Sequence, residues 1–266
     1  MERDCRDQRL RGRWLVGLLA VAMALTACVS TRTGGFDRDQ ERALELSVRL
    51  ARQYIAQGDW ESAQRHLRNA LEMDARDSSV HGALAMVYQN TGELERAEEH
   101  FRRSLRLDPR NAQTRNNHAV FLFDQGDFEG AERELERVVD NLDYERRAEA
   151  FLNLGIVRQR RGNWEGARQA LERSLRMDRR NPETSIKLAI SYHELGEHGP
   201  AQEAYDRYRE QSSVQTAEAL WLGVRLADHF GDRDAFASHS LALRNLYPKS
   251  SEYLSYRERY GDAGKR

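Results

Sequence analysis

The chain has 266 residues, of which 39% are hydrophobic and 32% are charged, and this excludes both a polytopic membrane protein and an intrinsically disordered chain. Its 42 basic and 43 acidic residues give a formal net charge of −1, which argues against the broad positive field of a nucleic-acid-binding protein. We therefore predict no nucleic acid among its partners.

Residues 1–27 are predicted to be an export signal that is removed from the mature protein. Several arginines, of which Arg13 is the last, precede the apolar run WLVGLLAVAMAL, Trp14 to Leu25. That run is shorter than the roughly 20 residues needed to cross a bilayer. A charged start, a short apolar core and a small-residue exit are typical of a signal peptide.

The exit LTAC, Leu25 to Cys28, resembles the lipobox of bacterial lipoproteins. The resemblance implies cleavage before Cys28, a diacylglycerol thioether on its sulfur and an acyl chain, such as palmitate, on its new amino group. Because each buried methylene contributes roughly 0.8 kcal/mol, such chains anchor firmly. Val29 follows Cys28, at a position where an aspartate would imply retention at the inner membrane. We therefore expect the protein to be located at the periplasmic face of the outer membrane. An ordinary signal peptide with a chance cysteine is the alternative.

The segment 28–40 follows, with the polar, glycine-containing stretch VSTRTGGFDRDQ after Cys28. Such a composition favours a flexible tether between the lipid and the folded part. The folded domain is then predicted over residues 41–262.

A repeat runs through that domain. Six alanines recur at a nearly constant spacing, at Ala63, Ala97, Ala131, Ala167, Ala201 and Ala235, and only the step from Ala131 to Ala167 is longer than the others. Each alanine lies just after a glycine-containing turn such as GDW, GEL or GDF, and is preceded by a Leu-Ala or Leu-Gly pair in most units. Small residues at recurring positions let two helices approach closely, and the glycine permits the turn between them.

This spacing resembles the tetratricopeptide repeat, a helix–turn–helix unit of about 34 residues. The resemblance implies an all-α fold, a tetratricopeptide-repeat superhelix (α-solenoid) of about six units followed by a capping helix after Pro248. The predicted units are approximately 44–77, 78–111, 112–147, 148–181, 182–215 and 216–249, and the extra length of the one longer step falls within Asp140 to Glu149.

No pattern in the sequence indicates catalysis. The stretch HELGEH, His193 to His198, has its histidines at i and i+5, whereas a zinc-protease motif needs them at i and i+4. The acidic residues follow the repeat period, which is typical of solvated helix faces. We therefore predict no enzyme, no catalytic residue, no metal, no cofactor apart from the lipid at Cys28, and no small-molecule substrate.

The fold offers a groove instead, lined by the first helix of each unit. The residues predicted to face it are Met86, Gln89, Asn90, Asn116, Asn117, Val120, Phe123, Leu152, Asn153, Ile156 and Gln159, with Ile186 and Ile190 in the fifth unit. Apolar side chains mixed with amides suit an extended or helical peptide. The alternative is that Val120, Leu152, Ile186 and Ile190 only pack between neighbouring helices. The groove lacks the clustered Lys and Arg of a site that clamps a terminal carboxylate.

Three stretches carry a closer resemblance. They are RNAQTRNNHAVFLFDQGDFEGA (110–131), FLNLGIVRQRRGNWEGARQALERSLRMDRRNP (151–182) and ALWLGVRLADHFGDRDAFASHSLALRNLYPKSSEY (219–253). Together with the lipobox they resemble the type IV pilus biogenesis and stability lipoproteins, the PilF/PilW family. His118 stands where that family usually has tyrosine.

The resemblance implies a pilotin that binds the secretin subunit of the type IV pilus machine, helps to bring it to the outer membrane and promotes its assembly into a ring. The alternative is a periplasmic repeat scaffold for peptidoglycan enzymes or for outer-membrane barrel assembly. The stretch from Ala219 to Tyr253 favours the pilotin, because it is not generic repeat sequence.

Overall fold

The computed structural model describes the backbone of residues 33–261 and side chains from residue 39 onward, and its regular structure in that range is entirely α-helical. The thirteen helices are α1 (Thr33–Gln57), α2 (Trp60–Met73), α3 (Ser78–Asn90), α4 (Leu94–Leu107), α5 (Ala112–Asp124), α6 (Phe128–Val139), α7 (Arg147–Arg160), α8 (Trp164–Met177), α9 (Pro182–Glu194), α10 (His198–Gln211), α11 (Ala217–Phe230), α12 (Arg233–Leu246) and α13 (Ser251–Tyr260). This confirms the predicted fold class, six helix–turn–helix units and a capping helix.

The turn within each unit is built by a glycine and the residue after it. Six turn glycines have φ between +72° and +82°, a conformation that costs other residues energy. In four of these turns the next residue caps the second helix, since its side chain accepts a hydrogen bond from a backbone N–H of the first turn. These four caps are Asp59, Asp127, Asn163 and Asp232.

The core of each unit is the crossing of its two helices. Ala63, Ala97, Ala131, Ala167 and Ala201 are fully buried, as the repeat predicted, while Ala235 in the last unit is half-buried. The crossing leaves no room for larger side chains. A Cβ added at Gly155 would lie 2.5 Å from Leu171 Cγ, and one at Gly223 would lie 2.9 Å from His239 Cδ2, in each case on the other helix of the same unit. The small residues therefore fix the distance between the helices of a unit.

The chain forms two compact units, one ending at Leu107 and the other beginning at Asp108, within the range predicted as one domain. A repeat contacts only its neighbours, so a solenoid can divide at any boundary between repeats. In the second unit, α13 closes the last repeat by packing Tyr256 against Leu220, Val224 and Leu243. None of the helices in residues 33–261 is both long and apolar enough to cross a membrane.

The predicted tether is partly wrong. Helix α1 begins at Thr33, so residues 33–40 are helical rather than extended, and residues 28–32 lie outside the described part of the chain. No proline interrupts residues 33–57, and a helix that is anchored by the buried Val48 and Ala51 extends at little cost per added residue. Cys28 and the predicted signal 1–27 also precede the described residues.

The alanine positions generate a stability prediction. We expect Ala97→Leu to lower the free energy of unfolding by about 1–3 kcal/mol, because the added carbons overpack a fully buried crossing. At about 2–4 °C per kcal/mol for a chain of this size, the melting temperature should fall by several degrees, measured by circular dichroism.

Glu95→Leu is the matched control, since Glu95 is exposed on the same helix, α4. Equal melting temperatures for the Ala97→Leu protein and the unaltered protein would contradict the assigned packing.

Candidate protein-binding site

In the second compact unit, each helix–turn–helix repeat begins with one of the helices α5, α7, α9 and α11. Each of these helices contacts the next one in the series. We call the surface that they share the A-helix face. The repeat register places residues 116, 152, 186 and 220 at one position, and residues 117, 153, 187 and 221 at the next. These two positions differ sharply in burial.

The first position is part of the core. Asn116, Leu152, Ile186 and Leu220 are 2%, 4%, 4% and 0% exposed. Leu152 packs in a cluster with Ala167, Leu171 and Leu188. The prediction that Asn116 and Leu152 face a groove is therefore wrong, because the neighbouring helices cover this position in all four of these repeats. For Leu152 and Ile186 the packing alternative is confirmed.

Asn116 is the polar exception in this buried row. Its Oδ1 accepts a hydrogen bond of 3.3 Å from Nδ2 of Asn153, which links α5 to α7. Two amides that the sequence assigned to ligand binding thus bind each other. The pairing satisfies a buried polar group that would otherwise destabilise the fold.

The second position lines the A-helix face. Asn117, Asn153, Lys187 and Trp221 are all half-buried. Asn117 Oδ1 accepts a 3.0 Å bond from Gln113 Nε2. This row changes from amides on α5 and α7 to a cation on α9 and an aromatic ring on α11.

A third row carries the apolar side chains. Val120 is 36% exposed, whereas Ile190 is 7% exposed and Val224 is fully buried. Ile156 is partly buried and packs against the cluster of Leu152. Within this row the exposed apolar surface is thus concentrated at Val120 and Ile156, and Ile190 is a packing residue, in agreement with the alternative for it.

Two further predicted residues make internal contacts. Phe123 packs against the core of its own unit, with its ring centroid 5.3 Å from that of Phe128. Gln159 Nε2 donates to the backbone oxygen of Lys187 at 2.7 Å and to Ser191 Oγ at 2.8 Å. Gln159 therefore ties α7 to α9 rather than offering its amide donor to a ligand.

Three predicted residues belong to the first compact unit, on α3. Met86 and Gln89 are half-buried and Asn90 is exposed. Asn90 Nδ2 donates to the backbone oxygen of Met86 at 2.8 Å. These residues are described by themselves, since they lie on a different unit from the A-helix face.

Sequence reasoning missed the ionic groups of the A-helix face. Lys187 Nζ lies 2.9 and 2.7 Å from the two carboxylate oxygens of Glu218, and Arg225 Nη1 lies 2.5 Å from Glu194 Oε1. Both pairs join α9 to α11. The repeat register could have identified Lys187 as a residue of this face, because Lys187 lies at the same repeat position as Asn153, one repeat later.

The charges of this region also affect nearby titrations. Burial, with a contribution from the Arg225 guanidinium, lowers the pKa of His193 to about 4. Burial and the bond from its hydroxyl to Asp228 raise the pKa of Tyr260 to about 12.

Among the described residues, no three His, Cys, Asp or Glu side chains converge on a position that could hold a metal ion. The face suits binding of a polypeptide through apolar contacts and amides.

Comparison with known proteins finds a similar sequence and a similar fold in type IV pilus proteins. Models of the tetratricopeptide repeat match residues 48–112, 110–180 and 152–215. The chain is 38% identical over 245 residues to the type IV pilus assembly protein PilF of Pseudomonas aeruginosa, covering 91% of this chain and 96% of that protein.

Two solved structures agree. That of Pseudomonas aeruginosa PilF has a TM-score of 0.77 and 35% identity, over 83% of this chain and 99% of that one. That of PilW, described as a widely conserved type IV pilus biogenesis factor, has a TM-score of 0.70 and 25% identity, over 80% and 97% of the two chains.

The burial of Asn116 generates a second stability prediction. Asn116→Ala should lower the free energy of unfolding by about 1–3 kcal/mol, because it removes a buried bond and leaves Asn153 without that acceptor. Asn116→Leu should cost less, since Leu152 and Leu220 occupy the same position in other repeats. Urea unfolding gives both values.

Asn117→Ala is the control for this pair of variants, because Asn117 is half-buried and water can replace its contacts. The buried role of Asn116 would be refuted by an Asn116→Ala protein as stable as the Asn117→Ala protein.

Proposed function

Because this chain belongs to the family of the type IV pilus assembly proteins PilF and PilW, we propose that it is the pilotin of a type IV pilus machine, a lipoprotein that binds the secretin subunit. The observation that carries the proposal is 38% identity extending over 91% of this chain and 96% of its relative. A match over nearly the whole of both chains concerns the pilus protein itself and exceeds what a shared repeat fold would give. A role in type IV pilus biogenesis follows from the family.

In this proposal the protein acts by binding. The repeat surface would hold a segment of each secretin subunit until the subunit reaches the membrane. The A-helix face has the chemistry for this, with apolar surface at Val120 and Ile156 beside the polar groups of Asn117 and Asn153. Apolar side chains of the segment would supply affinity and the polar groups would fix its register.

The lipid at Cys28 belongs to the same proposal. Residues 28–32 would connect it to α1, which begins at Thr33. Five residues span at most about 18 Å when fully extended, so the anchor would hold the start of α1 close to the membrane surface. The protein would then deliver its bound subunit at the periplasmic face of the outer membrane.

The experiment for the function is deletion of this chain, followed by detection of secretin multimers in outer-membrane fractions on denaturing gels. We expect monomeric secretin to replace the multimers, and the unaltered chain to restore them. Persistence of multimers together with a cell-wall or barrel-assembly defect would refute the pilotin and favour the scaffold.

Complementation with Val120→Glu locates the binding surface. Val120 is 36% exposed on the A-helix face, so a carboxylate there should spare the fold and weaken capture of the secretin by about tenfold, which corresponds to roughly 1.4 kcal/mol. Leu142→Glu is the matched control, because Leu142 is 75% exposed in the link between α6 and α7. Equal capture by both folded variants would exclude this part of the face.

The anchor has its own prediction. Cys28→Ser removes the cysteine that would remain after cleavage and carry the lipid. We expect the variant to remain unprocessed or to leave the outer-membrane fraction, as followed by fractionation and by labelling with a palmitate analogue. Normal processing and outer-membrane fractionation of the Cys28→Ser protein would refute the lipoprotein hypothesis.

A further inference from the structure

A groove lies between two successive second helices, α8 and α10, on the side of the repeat opposite to the A-helix face. Its floor is α9, and it contains a half-open cavity of about 490 Å³. Leu175, Leu188, Ala204 and the ring of Tyr192 supply its apolar lining. Ligand pockets in proteins measure roughly 300–1,000 Å³, so this cavity can receive a large side chain.

Three arginines surround this apolar lining, Arg176, Arg179 and Arg207. Arg176 makes one long contact, 3.9 Å from its Nη1 to Glu172 Oε2, and its side chain is 64% exposed. Arg179 and Arg207 form no ion pair within residues 39–261. Their guanidinium groups are therefore available to an incoming anion.

The two acidic residues of the groove do not cancel this charge. Glu172 is already occupied, since Arg168 Nη1 lies 2.6 Å from it and the Tyr192 hydroxyl donates to it at 2.9 Å. Burial and that bond to Glu172 raise the pKa of the Tyr192 hydroxyl, so it remains a donor. Glu203 lies one turn before Arg207 on α10 and is exposed. One exposed carboxylate thus faces three guanidinium groups.

The corresponding groove one repeat earlier, between α6 and α8, shows what a neutralised version looks like. There Arg158 occupies the position of Tyr192 and lies 2.7 Å from Glu132 and 2.9 Å from Glu136. Arg173 occupies the position of Arg207 and packs on the Phe151 ring at 5.6 Å. The cavity is smaller, about 320 Å³. Of these two grooves, only the one between α8 and α10 has arginines, Arg179 and Arg207, whose guanidinium groups are available to bind a partner.

We propose that the α8–α10 groove binds an acidic, extended segment of a partner protein, with one apolar side chain in the cavity and flanking carboxylates on Arg179 and Arg207. Charge complementarity selects the acidic residues, because guanidinium groups bind carboxylates with charge-assisted hydrogen bonds. The apolar floor recessed between α8 and α10 favours a peptide over anionic lipid headgroups, which need only a flat basic surface. This binding is independent of the secretin site proposed on the A-helix face.

The test uses the purified full-length chain and a fluorescent peptide with a central phenylalanine flanked by glutamates. We expect saturable binding, and a loss of about tenfold in affinity for each guanidinium removed in Arg179→Ala and in the double variant Arg179→Ala/Arg207→Ala. Raising salt from about 0.01 M to about 1 M shortens the Debye length from roughly 30 Å to roughly 3 Å, so binding should weaken strongly.

Matched controls separate this site from general charge. Arg160→Ala/Arg180→Ala removes the same charge from exposed positions outside the groove and should bind as the unaltered chain does. A peptide with glutamines for glutamates, and one with serine for phenylalanine, should each bind weakly.

The proposal is overturned by absent peptide binding, by equal loss in both double variants, or by equal affinity for the glutamine peptide. Binding to phosphatidylglycerol vesicles that needs Arg179 and Arg207, without peptide binding, would also overturn it and assign the groove to a membrane. Secretin capture that persists in the Arg179→Ala/Arg207→Ala protein leaves the A-helix site intact, so failure of one proposal is distinguishable from failure of the other.

Discussion

The close crossing of the two helices in each unit is the constraint on which the rest of the structure depends. A Cβ added at Gly155 would lie 2.5 Å from Leu171 and one at Gly223 would lie 2.9 Å from His239, and both distances are shorter than real contacts allow. Because only small residues fit there, one rotation of each helix about its axis is permitted. That rotation decides which side chains enter the core, such as Leu171 and Tyr205, and which remain for binding.

The parts of the fold that sequence could predict depend on this local geometry. A buried alanine recurring once per repeat, a left-handed glycine and a capping Asp or Asn each leave a residue-level signal, and six units and their turns were predictable from them. The start of α1 at Thr33 was not, because composition distinguishes a polar tether from a polar helix poorly when no proline or cap marks the boundary.

The binding face was harder to predict for a different reason. Register tells which residues share a position, but depth at that position is set by the next repeat, and Asn116 is buried because α7 covers it and Asn153 binds it. Ties such as Lys187 to Glu218 and Arg225 to Glu194 join different repeats and leave no periodic signal. The side chains of these two pairs are only 15–39% exposed, so the loss of hydration offsets much of their attraction, and their effect lies more in fixing the register of α9 against α11 than in stability.

The two sides of the second compact unit differ in how many polar groups remain available to a partner after the hydrogen bonds and ion pairs within the protein are counted. On the A-helix face Gln159, Lys187 and Arg225 are consumed by neighbouring helices, so binding there has to draw on apolar surface at Val120 and Ile156 and on few polar groups.

On the opposite side Glu132 takes two arginines: burial alone would raise its pKa, but hydrogen bonds from Arg158 and Arg161 outweigh burial and lower it. In the next groove Glu172 is bound by Arg168 and Tyr192, and Glu203 is exposed, so neither carboxylate forms an ion pair with Arg179 or Arg207. Substituting a few charged residues within one unchanged repeat backbone therefore suffices to make one groove self-satisfied and the next receptive.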